Sequence, residues 1–131
     1  MSGIKKEQDN LFEVALSLLP EVGSVKAKSL LAYCGSAEAV FKATKSDLES
    51  IPGIGRYTAL AIRKSEVLKS AEQELKFCKK HRIQILFYSH SDYPARLKQC
   101  DDGPLLLYYR GTIPLNYSRI VAIVGSRKST E

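Results

Sequence analysis

Apolar positions in the first 75 residues recur at the three- and four-residue spacings of buried helix faces, and glycine and proline interrupt them. Leu11, Val14, Ala15, Leu18 and Leu19 form one such stripe, with Asn10 placed to cap the helix and Pro20 to end it. A second helix is predicted from near Ser24, with Val25, Ala27, Leu30 and Leu31 as its apolar positions and Gly35 as its C-cap. Ser36 is placed to cap a third over 37–43. Ser46, with Glu49 three residues on, has the spacing of a capping box for a fourth, which Pro52 and Gly53 interrupt. A fifth helix is expected from near Arg56 toward Ser65, and 66–81 reads as a longer connecting helix.

Past His81 the period changes to two. Ile83, Ile85 and Phe87 alternate with Gln84, Leu86 and Tyr88, and 105–109 is a short apolar run bounded by Pro104 and Gly111. Residues 119–124 are β-branched and wholly apolar after Arg119, the pattern of a strand covered on both faces of a parallel sheet. Three strands with no crossover helix after the last do not complete such a sheet, so the chain is expected to be the opening part of a longer protein. The predicted fold class is α+β, with an all-α domain over 1–75 followed by a linking helix and the opening strands of an α/β domain over 76–131.

Composition narrows the class. With 44% hydrophobic and 26% charged residues the chain of 131 is expected to fold. Cys34, Cys78 and Cys100 are odd in number and widely spaced, which argues against a secreted disulfide scaffold, and no charged segment followed by an apolar one reads as a signal peptide. No apolar run approaches the roughly 20 residues of a membrane span, so a cytoplasmic protein is expected by elimination. The net charge of +6 is unevenly placed: residues 1–75 carry ten bases and ten acids, and 76–131 carry ten bases and four acids. That excess suits a polyanionic partner, and a solvated basic surface would also explain it.

An internal repeat carries the first candidate chemistry. At an offset of 32, residues 19–27 align with 51–59, and Pro, Gly and Ala coincide at 20/52, 23/55 and 27/59. Each copy is an apolar-Pro-x-apolar-Gly turn leading into a helix, where free N–H groups can hold a phosphate against the positive end of the helix dipole. These copies resemble the paired helix-hairpin-helix motif of DNA-binding and repair proteins. In the second copy the resemblance makes Gly53, Gly55, Arg56, Thr58, Arg63 and Lys64 the expected phosphate contacts. The first departs from the motif, because Glu21 stands where the leading glycine belongs, partly offset by Lys26 and Lys28. It is read as a scaffold for the second. Such pairs also serve as packing units or protein docking modules, and the neutral balance of 1–75 is compatible with that.

Residues 120–130 read as a buried strand, a glycine turn and polar residues suited to open a helix. Gly125 permits close backbone approach, Ser126 and Ser129 offer hydroxyls, and Arg127 offers a planar fork for a phosphate, with Lys128 beside it. The spacing fits neither the dinucleotide-binding nor the P-loop glycine pattern, and an ordinary strand-to-helix turn would also fit. Three segments in order decide between these: Tyr93-Pro94-Ala95-Arg96-Leu97, then 100–111 with Asp101, Pro104, Leu107, Tyr109, Arg110 and Gly111, then Val124-Gly125-Ser126-Arg127. They resemble the DNA-processing protein A (DprA, or Smf) family, whose members often carry a helix-hairpin-helix or SAM-like domain in front.

The resemblance implies a Rossmann-like second domain and a nonenzymatic, cytoplasmic bacterial protein. Such a protein binds single-stranded DNA during natural transformation, shields it and helps load the recombinase RecA. It nominates Gly125, Ser126, Arg127 and Lys128 as DNA contacts, and places dimerisation and RecA surfaces beyond Glu131, so a homodimer is expected only of the longer protein. No catalytic residue, cofactor or metal is expected. Cys78 and His81 have C-x-x-H spacing, but the flanking helix and strand leave no paired knuckle. Lys76, Lys79, Lys80 and Arg82 read either as a solvated helix face or as a DNA track; the seven tyrosines could stack on exposed bases, but most read as core or strand residues. Two other functions remain open: a nucleotide-processing enzyme of the phosphoribohydrolase kind on a similar sheet, and a helical protein-docking module.

Overall fold

The computed structural model describes residues 2–128, and of 2–9 the backbone alone. The chain order is α1 (Ser2–Leu18), α2 (Ser24–Cys34), α3 (Ala37–Lys42), α4 (Lys45–Glu49), α5 (Arg56–Lys64), α6 (Val67–Lys80), β1 (Gln84–Phe87), α7 (Ala95–Lys98) and β2 (Leu106–Tyr109). Local chemistry sets most helix ends. Gly35 ends α2 at φ 91, donating its N–H to the Leu31 carbonyl. Ser36 is extended and its hydroxyl accepts the Ala39 N–H at 3.1 Å, which starts α3.

Two predicted caps are corrected. Asn10 lies inside α1, because the polar residues before it continue the helix. Thr44 caps α4 in place of Ser46: its hydroxyl accepts the Asp47 N–H at 3.2 Å and donates to the Asp47 carboxylate at 2.7 Å. Starting the helix two residues earlier puts Lys45 and Glu49 one turn apart, 3.6 Å between charged atoms, with Leu48 fully buried.

The core forms where α1 lies along α6 and crosses α3, with Val14, Leu16, Leu30, Val40 and Leu48 fully buried. Phe87, Leu105 and Leu106 join the same cluster, so the strands close the helical core. Helix α6 runs unbroken across residue 76. The sheet has two antiparallel strands, with Gln84 opposite Tyr109 and Phe87 opposite Leu106. Strict alternation fails in β1, since Leu86 and Phe87 are both buried and both faces are therefore covered.

The long connection between the strands is fixed from a distance. Buried Tyr93 donates its hydroxyl to the Pro104 carbonyl at 2.6 Å. The Asn116 side chain accepts the Ala95 N–H at 2.7 Å and donates to the Tyr93 carbonyl at 3.1 Å, starting α7 where no local cap exists. Gly103 is required by space, because a Cβ there would stand 2.7 Å from the Leu97 carbonyl oxygen and 3.1 Å from that of Cys100.

The strand expected over 119–124 does not form. Val121 is 87% exposed and Ile123 96% exposed, and no described segment lies beside them. A strand exists only where a neighbour completes its ladder. The described sheet is thus a two-stranded antiparallel pair, with no parallel strand.

Candidate nucleic-acid interface

The repeat read from the sequence is a repeat in space. Leu19 and Ile51 occupy matching buried positions, as do Val22 and Ile54, and Ala27 and Ala59. The N–H of Val22 reaches the Leu19 carbonyl at 3.4 Å, and that of Ile54 reaches Ile51 at 3.0 Å. Gly23 and Gly55 precede their helices with nearly the same backbone, φ −77 ψ 178 and φ −83 ψ 174. The position before the second apolar residue is left-handed in both, φ 62 at Glu21 and φ 84 at Gly53. Only the second copy has glycine where that conformation costs little.

The two helix starts are used differently. At α2 the Ser24 hydroxyl donates to the Asp102 carbonyl at 3.1 Å. The Lys28 ammonium donates to the carbonyls of Cys100 at 3.4 Å and Asp101 at 3.1 Å, and lies 5.6 Å from the Tyr88 ring centre. The first hairpin therefore grips the turn before Gly103. Neither helix has a side-chain cap, and the first internal bonds run from the Ala27 N–H to Gly23 and from the Ala59 N–H to Gly55; what sets α5 apart is that, among the described residues, no side chain of its first turn is bonded to another part of the chain. The N–H groups of Arg56, Tyr57 and Thr58 precede the latter bond and point along the axis to solvent, as expected of an uncapped first turn.

Around this open turn Gly53, Gly55, Arg56 and Lys64 are exposed. Thr58 is 7% exposed, so it can offer its backbone but not a reaching hydroxyl. Arg63 donates to the Ala43 carbonyl at 2.9 Å, tying α5 to the end of α3. Tyr57, passed over when most tyrosines are read as core, is 84% exposed beside the hairpin. Its place directly after Arg56 on the first turn was the available signal.

The glycine turn at 125–128 is exposed throughout. A Cβ on Gly125 would meet open space, and the Ser126 hydroxyl donates to the Lys128 carbonyl at 2.7 Å. Arg127 and Lys128 make no ion pair among the described residues. Ser129 and Thr130 lie outside the described residues. Cys78 is buried while His81 is exposed and stacks on Phe77, so the C-x-x-H pair does not converge. Burial pushes the thiols of Cys78 and Cys34 upward, with smaller contributions from Glu74 and Asp47 respectively. No helix among the described residues is long and apolar enough to cross a membrane.

Comparison with known proteins assigns both halves. The helix-hairpin-helix profile matches residues 36–65, which hold the second hairpin. The profile of the DNA recombination-mediator protein A family matches 84–131, and protein Smf of Borreliella burgdorferi is 32% identical over 92 residues, 68% of this chain. The chain belongs to the DNA recombination-mediator protein A family. The UvrABC system protein C of a Wolbachia strain from Drosophila simulans is also similar, 36% identical over 61 residues or 46% of this chain, and that of Prochlorococcus marinus is 39% identical over 59 residues. The chain spans 27% of the length of the Smf relative and about a tenth of the UvrC relatives. No solved structure matches it significantly. Within the family match, Tyr93, Pro104 and Gly103 have the structural duties described above, while 125–128 shows only its own Ser126–Lys128 bond among the described residues.

Proposed function

We propose that this chain is the front part of a nonenzymatic single-stranded DNA-binding protein that protects DNA during transformation and recombination in the bacterial cytoplasm and helps load RecA. The observation that carries the reading is the contrast between the two hairpins: their backbones match and both helix starts lack a side-chain cap, but Ser24 and Lys28 of the first are bonded to the turn at 100–102, whereas Arg56 and Lys64 of the second are exposed beside the free N–H groups of α5. Family membership supports it, since members are generally DNA-processing proteins without enzymatic activity. So does the basic excess of residues 76–131.

In this reading a phosphate sits against the N–H groups that follow Gly55, with Gly53 giving the backbone close approach, Thr58 contributing its N–H alone, and Arg56 and Lys64 supplying charge. A second contact forms at Gly125, Ser126, Arg127 and Lys128 once 120–124 is paired as a strand of a Rossmann-like sheet. Residues 1–75 then act as the helical domain and 76–131 as the start of the DNA-binding one, with the homodimer a property of the longer protein.

The test is fluorescence anisotropy of a labelled single-stranded oligonucleotide titrated with the chain at two salt concentrations, with a duplex of equal length as comparison. Salt-sensitive binding that weakens on Arg56→Ala with a smaller salt slope is expected, and the corresponding loss on Arg127→Ala is expected where 120–124 is paired in the longer protein. Absence of binding at low salt would overturn the reading.

A further inference from the structure

Helix α6 carries an exposed aromatic pair set in a field of positive charge. Phe77 is 53% exposed, and its ring lies 4.2 Å from that of His81, one turn on, at an interplanar angle of 42°. The opposite side of the helix is the packed one, with Ala71 and Cys78 buried. Lys69, Lys76 and Lys80 stand on the open side and Lys79 on the flank away from Phe77, all exposed, and Arg82 follows at φ 54 where the Ile83 N–H closes the helix end on the Cys78 carbonyl at 2.8 Å. None of these five cations is in an ion pair among the described residues. Glu66 at the N-cap and Glu72 are exposed acids of this helix, and half-buried Glu74 acts on the Tyr108 hydroxyl.

A helix needs cations near its C-terminus to offset its dipole, and Lys79 and Lys80 suffice for that. They do not account for a half-exposed phenylalanine, which loses favourable burial wherever it faces water. A flat apolar ring on a helix side that also carries Lys76 and Lys80 fits a ligand that offers a flat face and a negative charge within one repeating unit, and a nucleotide does so. In a duplex the base faces are already stacked, so the fitting ligand is single-stranded.

We infer that Phe77, backed by His81, is a stacking platform for one base of a single-stranded nucleic acid whose phosphates lie along Lys76, Lys80 and Arg82. The inference rests on the reading of the chain as a single-strand binder and adds a second contact area to it, on the helix that joins the hairpins to the sheet. It also chooses between the two readings of the basic run, since a merely solvated face has no use for the ring.

Anisotropy of a labelled 20-nucleotide oligodeoxythymidylate with the whole chain tests it, alongside an oligomer of the same length with abasic sites at its centre. Phe77→Ala is expected to weaken binding of the base-bearing strand about tenfold without changing the salt slope. It should have little effect on the abasic strand, and Phe77→Trp should restore the affinity. Lys76→Gln and Lys80→Gln should instead each reduce the salt slope, by about 0.7 per lost phosphate contact. Circular dichroism and thermal melting check that the variants fold, which their exposure favours.

If the chain binds the strand and Phe77→Ala binds it equally well, or loses equally on both oligomers, the platform is refuted while single-strand binding stands. If the unaltered chain binds no single strand, both fail.

Discussion

Glu21 holds a left-handed backbone, φ 62, at the point where its counterpart is Gly53 at φ 84. A residue with a Cβ adopts that conformation at a cost of about 1–2 kcal/mol. Glycine avoids the cost but gives up about 0.5–1 kcal/mol through the greater freedom of its unfolded chain. Glu21→Gly should therefore stabilise the protein by roughly 0.5–1 kcal/mol, which for a chain of this size raises Tm by about 2–4 °C. Glu21 is exposed and in no ion pair among the described residues, so no contact offsets the gain. Urea denaturation at constant slope measures it. The converse change, Gly53→Ala, should cost about 1 kcal/mol or more for the same reason. DNA affinity should not rise on Glu21→Gly, because Ser24 and Lys28 remain committed to the turn at 100–102. A destabilised Glu21→Gly variant, or one that gains DNA affinity, would refute the equivalence of the two turns or their different employment.

Gly103→Ala should cost about 1–3 kcal/mol, since its Cβ would overlap the Leu97 carbonyl oxygen at 2.7 Å; the denaturant midpoint reports it. Lys28→Ala should speed hydrogen exchange at the amides of Cys100 and Gly103, which close the gripped turn, while leaving those of α5 unchanged. The Tyr108 hydroxyl is pushed up to about 12, first by burial and then by Glu74 and Cys78, so folding favours its protonated form. Its contribution is complete below the unfolded value near 10 and is lost as pH rises through about 12, so Tyr108→Phe should flatten the alkaline fall in thermal stability across that window.

The helices were legible because their signals are local. Gly35, Ser36 and Pro20 act within one turn of the ends they set, and the predicted boundaries of α2, α3, α5 and α6 fall within a residue or so of the observed ones. Thr44 and Ser46 are both hydroxyl residues with an acid three positions on, and only the burial of Leu48 and the turn of the helix beneath it distinguish them. Helix α7 was invisible because its starting partner, Asn116, is 21 residues away. The pattern of 119–124 was read for what it would do beside another strand, and a pattern cannot supply the neighbour.

The candidate site was half legible for a related reason. Sequence alignment of the hairpins finds the shared turn, and Glu21 warns that the first differs, but the sequence does not show what the first is bonded to. The first hairpin is unavailable because α2 points at its own chain, and the residues that occupy it, Ser24 and Lys28, have the hydroxyl and ammonium expected of a phosphate contact. The same chemistry that would hold an oxygen of DNA holds the carbonyl oxygens of 100–102, and so anchors the helices to the strands. One hairpin is thereby spent on joining the two halves of the chain. The other stays open because no side chain among the described residues is bonded to the first turn of α5, and that turn is flanked by Tyr57, an exposed ring next in sequence to Arg56 just as Phe77 is next to Lys76. At Tyr57 and at Phe77 an exposed ring follows a cation directly in sequence, a pairing that packing does not require and that a strand of exposed bases would use.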